Sequence, residues 1–108
     1  MATIELRADV AIVGGGVAGM VAAVKCAERG LRPIVLEKLT DERYVCNSRL
    51  TGGIFHLAYR SPLDDVDELV RLIDESTDGT SEPALVRAVA ADARRVIRWL
   101  QSLGVRYV

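Results

Sequence analysis

The chain has 108 residues, of which 50% are hydrophobic and 27% are charged, and its formal net charge is −1. This composition is typical of a globular protein and excludes disordered and collagen-like chains. The 14 basic and 15 acidic residues form no run of like charge, so no concentrated positive surface for nucleic acid is expected.

Neither a signal peptide nor a membrane-spanning helix is expected. The longest uncharged stretch, residues 10–24, is shorter than the roughly 20 apolar residues that a spanning helix needs, and it contains four glycines. Cys26 and Cys46 are the only cysteines, too few for a disulfide framework. The sequence therefore predicts a cytoplasmic protein.

Residues 1–38 have the pattern of a strand, a helix and a second strand. The β-branched run Ala8–Val13 stops at Gly14, which is typical of a strand buried on both faces of a parallel sheet. A helix is predicted from Val17 to Gly30, and a second strand over Ile34–Leu36. The predicted apolar face of the helix contains Val17, Met20, Val21, Val24 and Ala27. This order predicts a βαβ unit.

A loop and two helices are predicted after this unit. Residues 39–61 lack a clear period and are expected to form a structured loop with a short strand or helical turn in it. In the helical segment 62–108, Ser61 and Pro62 open the first helix and Asp78-Gly79 ends it.

Ser81 is predicted to cap the second helix, which continues to about Ser102, and residues 105–108 could begin a further strand. The predicted apolar faces are Val66, Leu69, Val70 and Ile73 on the first helix, and Leu85, Val89, Val96, Leu100 and Leu103 on the second. The opposite side of the second helix contains Arg87, Arg94 and Arg98, which are interpreted as a solvated face.

The turn after the first strand contains the motif G-x-G-x-x-G at Gly14, Gly16 and Gly19. The first glycine allows a tight turn, the second lets the backbone approach a pyrophosphate, and the third lets the helix pack closely on the strand. The start of the helix also offers N–H groups and a positive dipole end to phosphates. The motif between two strands therefore predicts a dinucleotide site.

Glu37 is the acidic residue that this motif requires. It follows Gly19 by 18 residues, at the carboxyl end of the second strand, near the roughly 20-residue spacing of a ribose-binding acid. A carboxylate there accepts hydrogen bonds from the ribose hydroxyls and repels a 2′-phosphate, so NADP is disfavoured. These features leave three interpretations open: an FAD enzyme, an NAD-dependent dehydrogenase, and a noncatalytic nucleotide-binding or interaction module.

Two segments carry a resemblance to a known family. The run from Asp9 to Gly19, followed by Glu37-Lys38, resembles the opening of FAD-binding proteins. The segment Asn47-Ser48-Arg49-Leu50-Thr51-Gly52-Gly53 resembles a flavin-contacting segment of the fumarate reductase and succinate dehydrogenase flavoprotein family. That family includes tricarballylate dehydrogenase-like and 3-ketosteroid dehydrogenase-like members. The stretch 85–105 is also similar to a helix of this family, so the resemblance covers nearly the whole chain.

The resemblance implies an α/β fold, with a Rossmann-like FAD-binding βαβ unit, additional helices and an incomplete parallel sheet. It implies that residues 1–108 are the N-terminal part of an FAD-binding domain, with residues 39–61 as the flavin-contacting loop. The activity it implies is the reduction or dehydrogenation of a C–C bond next to a carboxylate or carbonyl. The implied FAD contacts are Gly14, Gly15, Gly16, Ala18, Gly19, Glu37, Lys38, Asn47, Ser48, Thr51, Gly52 and Gly53.

Some members of this family attach FAD through a histidine just before the Gly-Gly pair. No histidine stands there in this chain, so noncovalent FAD is expected. His56, the only histidine, is interpreted as structural, with a role in tuning the flavin as the alternative. Cys46 is interpreted as a packed thiol rather than a flavin attachment point, and Cys26 as filler in the first helix.

The family's catalytic residues lie farther downstream than this chain extends. The resemblance therefore implies a fragment that contains no catalytic residue and no metal site and is inactive alone. The small-molecule substrate would bind in the full-length protein, with a missing C-terminal portion or a partner subunit completing the site.

Overall fold

The computed structural model describes residues 2–53 and 60–107, and the chain divides into two compact units between residues 53 and 54. The first unit contains β1 (Val10–Val13), α1 (Val17–Glu28), β2 (Pro33–Leu36) and α2 (Asn47–Leu50). The second contains α3 (Val66–Ser76) and α4 (Pro83–Ser102). The predicted combination of helices and a small parallel sheet is confirmed.

β1 and β2 form a two-stranded parallel sheet in which Val10 pairs with Pro33 and Val13 with Leu36. Asp9 joins the two strands before this ladder begins, because its carboxylate accepts the Arg32 N–H at 2.8 Å and its own N–H donates to Arg32 O at 2.9 Å. β1 thus begins two residues later than predicted, where its partner strand begins.

The prediction that the first strand is buried on both faces is wrong for β1. Val10 and Ile12 are half-buried, whereas Ala11 and Val13 are exposed, Val13 to 87%. This alternation arises because α1 packs on one face of the strands, and successive strand residues point to opposite faces.

α1 approaches the sheet through small residues rather than through the large apolar face that the sequence predicts. Of that predicted face, Val17, Met20, Val24 and Ala27 are exposed and only Val21 is half-buried. The other half-buried apolar positions are Gly19, Ala23 and Cys26, spaced four and three residues apart on the helix. Small side chains permit the close approach, which leaves the larger ones outside.

α3 begins four residues later than Ser61 and Pro62 predict. Asp65 is its N-cap residue and accepts the Asp67 N–H at 2.9 Å, whereas Ser61 closes a single turn in which Asp64 N–H donates to Ser61 O at 3.1 Å. α3 ends at Ser76, before Asp78 and Gly79, which both have positive φ.

α4 begins at Pro83, so Glu82 rather than Ser81 is its N-cap residue. The Glu82 carboxylate accepts the Leu85 N–H at 2.8 Å, and proline is favoured at the first helical position because its missing N–H is not needed there. The helix ends at Ser102, and Gly104 follows with φ of +93°. Residues 105–107 form no strand, contrary to the expectation for this segment.

The core of the second unit forms where α3 packs on α4. Leu69 is 1% exposed and lies against Ala90 and Ala93, with Val66 and Val70 partly buried around it. The predicted face of α3 is therefore confirmed. The predicted face of α4 is only partly confirmed, because Val96 and Leu100 are half-buried but Leu85, Val89 and Leu103 are exposed. The fully buried residues of this helix are Val86, Ala90, Ala93 and Ile97.

Two of the α4 arginines bind neighbouring groups, although their side chains are exposed as predicted. Arg87 donates to the Asp67 carboxylate at 3.1 Å and Arg94 donates to Leu63 O at 2.5 Å. Among residues 2–53 and 60–107, no helix combines the length and the apolar character needed to cross a membrane.

Leu69→Ala should lower the free energy of unfolding by about 2–5 kcal/mol, because it leaves a cavity against α4. The matched control Leu85→Ala, at a leucine that is 67% exposed, should change it by less than about 0.5 kcal/mol. Urea unfolding followed by circular dichroism measures both. Equal losses in the two variants would contradict the helix face assigned to α4.

Candidate cofactor-binding site

A glycine turn carries the chain from β1 into α1. Gly14 has φ of +102°, a conformation that favours glycine, and its N–H donates to Leu36 O at 2.8 Å as the last bond of the parallel ladder. The turn therefore lies at the carboxyl ends of both strands, where open α/β sheets bind their ligands.

Gly19 permits the close contact between α1 and this turn. A Cβ atom placed on Gly19 would overlap the carbonyl oxygen of Gly14 and would lie 3.4 Å from Ile12 Cγ2. Because neither the backbone nor the strand residue can move away cheaply, any side chain at this position forces the helix off the strand. The predicted packing role of Gly19 is confirmed.

The amino end of α1 presents backbone donors that the helix itself does not use. Gly16 is the N-cap residue, and the Met20 N–H makes the first helical bond, to Gly16 O at 3.0 Å. The N–H groups of Val17, Ala18 and Gly19 precede that bond and have no helical acceptor. Ser48 approaches this end from α2, and its Oγ accepts the Val17 N–H at 3.0 Å.

Gly15 is buried, and side chains bind both of its backbone polar groups. Its N–H donates to Glu37 Oε2 at 2.8 Å, and its carbonyl oxygen accepts the Tyr44 hydroxyl at 2.6 Å. A Cβ atom on Gly15 would lie 2.9 Å from Tyr44 Oη and 3.2 Å from Glu37 Oε2. The motif G-x-G-x-x-G leaves this position free, and the two converging side chains explain why glycine occupies it here.

The Glu37 carboxylate holds two backbone N–H groups, since Oε1 also accepts the Leu39 N–H at 3.1 Å. The hydrogen bond from Gly15, and next that from Leu39, lower the pKa of Glu37 below its ordinary value of 4.5. Each oxygen of an ionised carboxylate has two acceptor sites. Glu37 can therefore keep its backbone bonds and still accept hydroxyl groups from a ligand.

Tyr44 and Arg49 lie with Glu37 and Ser48 around the glycine turn, and we call these four residues the turn cluster. Neither Tyr44 nor Arg49 was predicted from the sequence as a site residue. The Arg49 guanidinium lies over the Tyr44 ring, with its central carbon 4.6 Å from the ring centroid, a distance typical of a cation–π interaction. The sequence does contain a pattern that indicates them. An aromatic residue precedes Asn47-Ser48 and a basic residue follows it, in a loop predicted to be functional.

Most of the other predicted FAD contacts are exposed. Thr51 Oγ1 donates to Ser48 O at 3.2 Å and accepts the Gly53 N–H at 3.4 Å, which connects the glycine pair to α2. The exposed predicted residues are Ala18, Lys38, Asn47, Thr51, Gly52 and Gly53. Cys46 is half-buried before α2, and His56 lies in residues 54–59, outside the described residues.

The groups present fit a nucleotide diphosphate and its ribose. A crowded glycine turn, the donors at the start of α1 and the Ser48 hydroxyl suit phosphate oxygens, and the Glu37 carboxylate suits sugar hydroxyls. In the part of the chain that the structure describes, no group of three His, Cys, Asp or Glu residues could hold a metal ion.

A concavity of about 400 Å³ lies in the second unit between α3 and the start of α4. Two of its arginines are paired: Arg87 donates to Asp67 at 3.1 Å, and Arg71 donates to Glu68 at 2.7 Å.

Comparison with known proteins agrees with the chemistry of the glycine turn. Residues 9–108 match the FAD binding domain family, and the chain belongs to that family. It is 30% identical over 99 residues to L-aspartate oxidase of Mycobacterium tuberculosis (strain ATCC 25618 / H37Rv), an alignment that covers 92% of this chain and 19% of that protein.

Two fumarate reductases are similar as well. Fumarate reductase (cytochrome) of Shewanella frigidimarina is 26% identical over 102 residues, 89% of this chain and 18% of that protein. The fumarate reductase flavoprotein subunit of Helicobacter pylori (strain J99 / ATCC 700824) is 29% identical over 99 residues, 90% of this chain and 14% of that protein. The chain thus spans less than a fifth of the length of these relatives. No solved structure shows a significant match.

These similarities confirm the resemblance to the fumarate reductase flavoproteins and FAD as the cofactor. The family consists of FAD-dependent oxidoreductases. The similarities give no support to the NAD-dependent dehydrogenase that the glycine motif left open.

The lowered pKa of Glu37 predicts how acid affects the first unit. A carboxyl group whose pKa is lower in the folded state stabilises the fold above its unfolded pKa, and this contribution is lost as pH falls through the folded pKa. We expect Glu37→Gln to reduce stability at pH 7 and to flatten the loss of stability below pH 4.5. Thermal unfolding from pH 7 to pH 3 measures this, and an identical acid profile in both proteins would contradict the assigned role.

Proposed function

We propose that the protein is the FAD-binding part of an oxidoreductase that reduces or desaturates a C–C bond next to a carboxylate or carbonyl. The observation that carries the proposal is the convergence of Glu37 and Ser48 on the glycine turn, in a chain that belongs to the FAD binding domain family. The βαβ unit then acts in the Rossmann manner, with the ADP half of FAD at the carboxyl ends of β1 and β2.

The diphosphate is proposed to lie at the amino end of α1. There the N–H groups of Gly16, Ala18 and Gly19 and the positive end of the helix dipole favour an anion. The Ser48 oxygen accepts the Val17 N–H, so its own hydroxyl proton remains available for a phosphate oxygen. Ser48 thus extends the row of backbone donors by one side-chain donor.

Glu37 is proposed to accept the hydroxyl groups of the adenosine ribose. Its carboxylate is already oriented by the N–H groups of Gly15 and Leu39, so little further ordering is needed when the sugar binds. Its negative charge would repel a 2′-phosphate. Lys38, which follows directly, is proposed to add positive charge near the nucleotide.

Asn47, Thr51, Gly52 and Gly53 are proposed to contact the diphosphate, the ribityl chain and the isoalloxazine. The Thr51 bonds to Ser48 O and the Gly53 N–H connect these residues to the helix that carries Ser48. A diphosphate bound at Ser48 therefore places the following glycines along the continuation of the same cofactor.

Bound flavin supplies hydride-transfer chemistry, and the protein supplies orientation and electrostatics. L-aspartate and fumarate, in the names of the relatives, are small dicarboxylates, which favours a carboxylate substrate for this protein too. One relative is by name a flavoprotein subunit, so the substrate site is proposed to be completed by a further portion of the protein or by a partner chain. The 108 residues alone are proposed to be inactive.

Gly16→Val in the full-length protein should abolish FAD retention. A Cβ atom on Gly16 would lie 3.4 Å from Ser48 Oγ, and the two valine methyl groups would extend into the space proposed for the diphosphate. Bound flavin is measured by its absorbance at about 450 nm after gel filtration. The matched control Ala22→Val, at an exposed position of the same helix, should retain FAD, and retention by Gly16→Val would contradict the proposed site.

The same samples test how the flavin is attached. Because no histidine precedes Gly52-Gly53, acid precipitation of the wild-type protein should leave all flavin in the supernatant. Flavin that stays with the pellet would contradict noncovalent binding and would implicate Cys46 or His56.

Anaerobic flavin spectra separate the proposed reaction from the alternatives. We expect fumarate or another unsaturated carboxylate to reoxidise the reduced flavin of the full-length protein. Reduction of the oxidised flavin by L-aspartate instead would overturn the C–C reaction and favour amino-acid oxidation. A flavin that responds neither to L-aspartate nor to saturated or unsaturated carboxylates and carbonyl compounds would support the noncatalytic nucleotide-binding module.

A further inference from the structure

The peptide group between Gly15 and Gly16 is held from one side by Tyr44. The Tyr44 hydroxyl donates to Gly15 O at 2.6 Å, and no cis peptide bond occurs among the described residues. In a trans peptide the carbonyl and the N–H point in opposite directions. Fixing Gly15 O towards Tyr44 therefore turns the Gly16 N–H away from Tyr44.

No side chain of the turn itself sets this orientation. Gly14, Gly15 and Gly16 are consecutive glycines, and glycine adopts positive and negative φ with similar ease. Gly14 has φ of +102° and Gly16 has φ of −71°. Because glycines have no side chains that restrict the backbone angles of the turn, the orientation of the Gly15–Gly16 peptide depends on contacts from other residues.

Tyr44 is itself held in place by the segment that carries Ser48. Arg49 lies over the Tyr44 ring at 4.6 Å, and Ser48 Oγ accepts the Val17 N–H at 3.0 Å. The segment 44–49 thus holds the glycine turn at two points, Gly15 O and Val17 N–H, which lie on either side of Gly16. The Gly16 N–H is the donor between these two fixed points.

We infer that Tyr44 is a positioning residue that orients the Gly15–Gly16 peptide so that the Gly16 N–H donates to the diphosphate of the cofactor. This inference rests on the proposed function, because it concerns the same site. Tyr44 acts through the backbone and does not itself contact the phosphates. Its effect is therefore specific to the diphosphate part of a ligand.

Tyr44→Phe removes one oxygen atom and keeps the ring under Arg49. We expect it to weaken ADP binding about 3- to 10-fold, the effect of one lost hydrogen bond, and to leave adenosine binding unchanged within about twofold. Titration calorimetry or NMR titration with ADP and with adenosine measures both. The matched control Tyr107→Phe removes a hydroxyl in the second unit and should change neither affinity.

A double-mutant cycle tests the contact directly. Gly15→Ala should weaken ADP binding because its Cβ atom would lie 2.9 Å from Tyr44 Oη. In the Tyr44→Phe background this penalty should be smaller, because the oxygen at 2.9 Å is gone and the nearest remaining atom of the ring, Cζ, lies at 3.1 Å. Additive losses in the two variants would overturn the inference.

The outcomes separate the inference from the proposed function. Failure of the full-length wild-type protein to bind either FAD or ADP would overturn the proposed function and with it the inference. Wild-type binding together with equal ADP affinity in Tyr44→Phe would overturn the inference alone, as would equal losses for ADP and adenosine, which indicate a general structural role.

A measurement on the wild-type protein covers the case in which Tyr44→Phe does not fold. With ¹⁵N-glycine labelling, the Gly16 amide signal should move on addition of ADP and should stay in place on addition of adenosine. A Gly16 signal that ADP leaves unmoved would overturn the inference.

Discussion

The hydrogen bond from the Gly15 N–H to Glu37 joins the two ends of the βαβ unit across 22 residues. It fixes the turn after β1 relative to the end of β2. It also lowers the pKa of Glu37, which favours the ionised carboxylate. A carboxylate that holds two N–H groups stays ionised and oriented, so the residue proposed to select the ribose also stabilises the backbone proposed to bind the phosphates. Structure and cofactor recognition therefore depend on the same contact.

Backbone features were predictable from the sequence where a residue type has a conformation of its own. Gly14 and Gly30 have the positive φ expected of a turn and a helix end, and Gly19 stands where only glycine fits. The helix faces were less predictable. Ala90 and Ala93 form the core between α3 and α4, while Leu85 is exposed. Hydrophobic periodicity gives weight to large side chains, whereas close helix packing buries small ones.

The site was only partly predictable, for a different reason. Glu37 follows the glycine motif at a recognisable spacing, so its role can be read along the chain. Tyr44 contacts Gly15 across 29 residues, and its position follows from how the loop folds back, which no local pattern encodes. Ser61 and Asp65 illustrate the same limit at helix starts: both are competent caps, and only tertiary structure selects Asp65.

The described hydrogen bonds of the first unit all join residues between 2 and 53. The turn, Glu37, Tyr44 and Ser48 can accordingly come together on a nascent chain before the ribosome has translated the second unit. At about 5–20 residues per second, residues 54–108 of the second unit take roughly 3–10 s to synthesise. That interval is long compared with the microseconds to milliseconds in which short-range contacts form. The first unit can thus fold while the second is still being synthesised, and the proposed nucleotide site needs no other residues for the contacts described here.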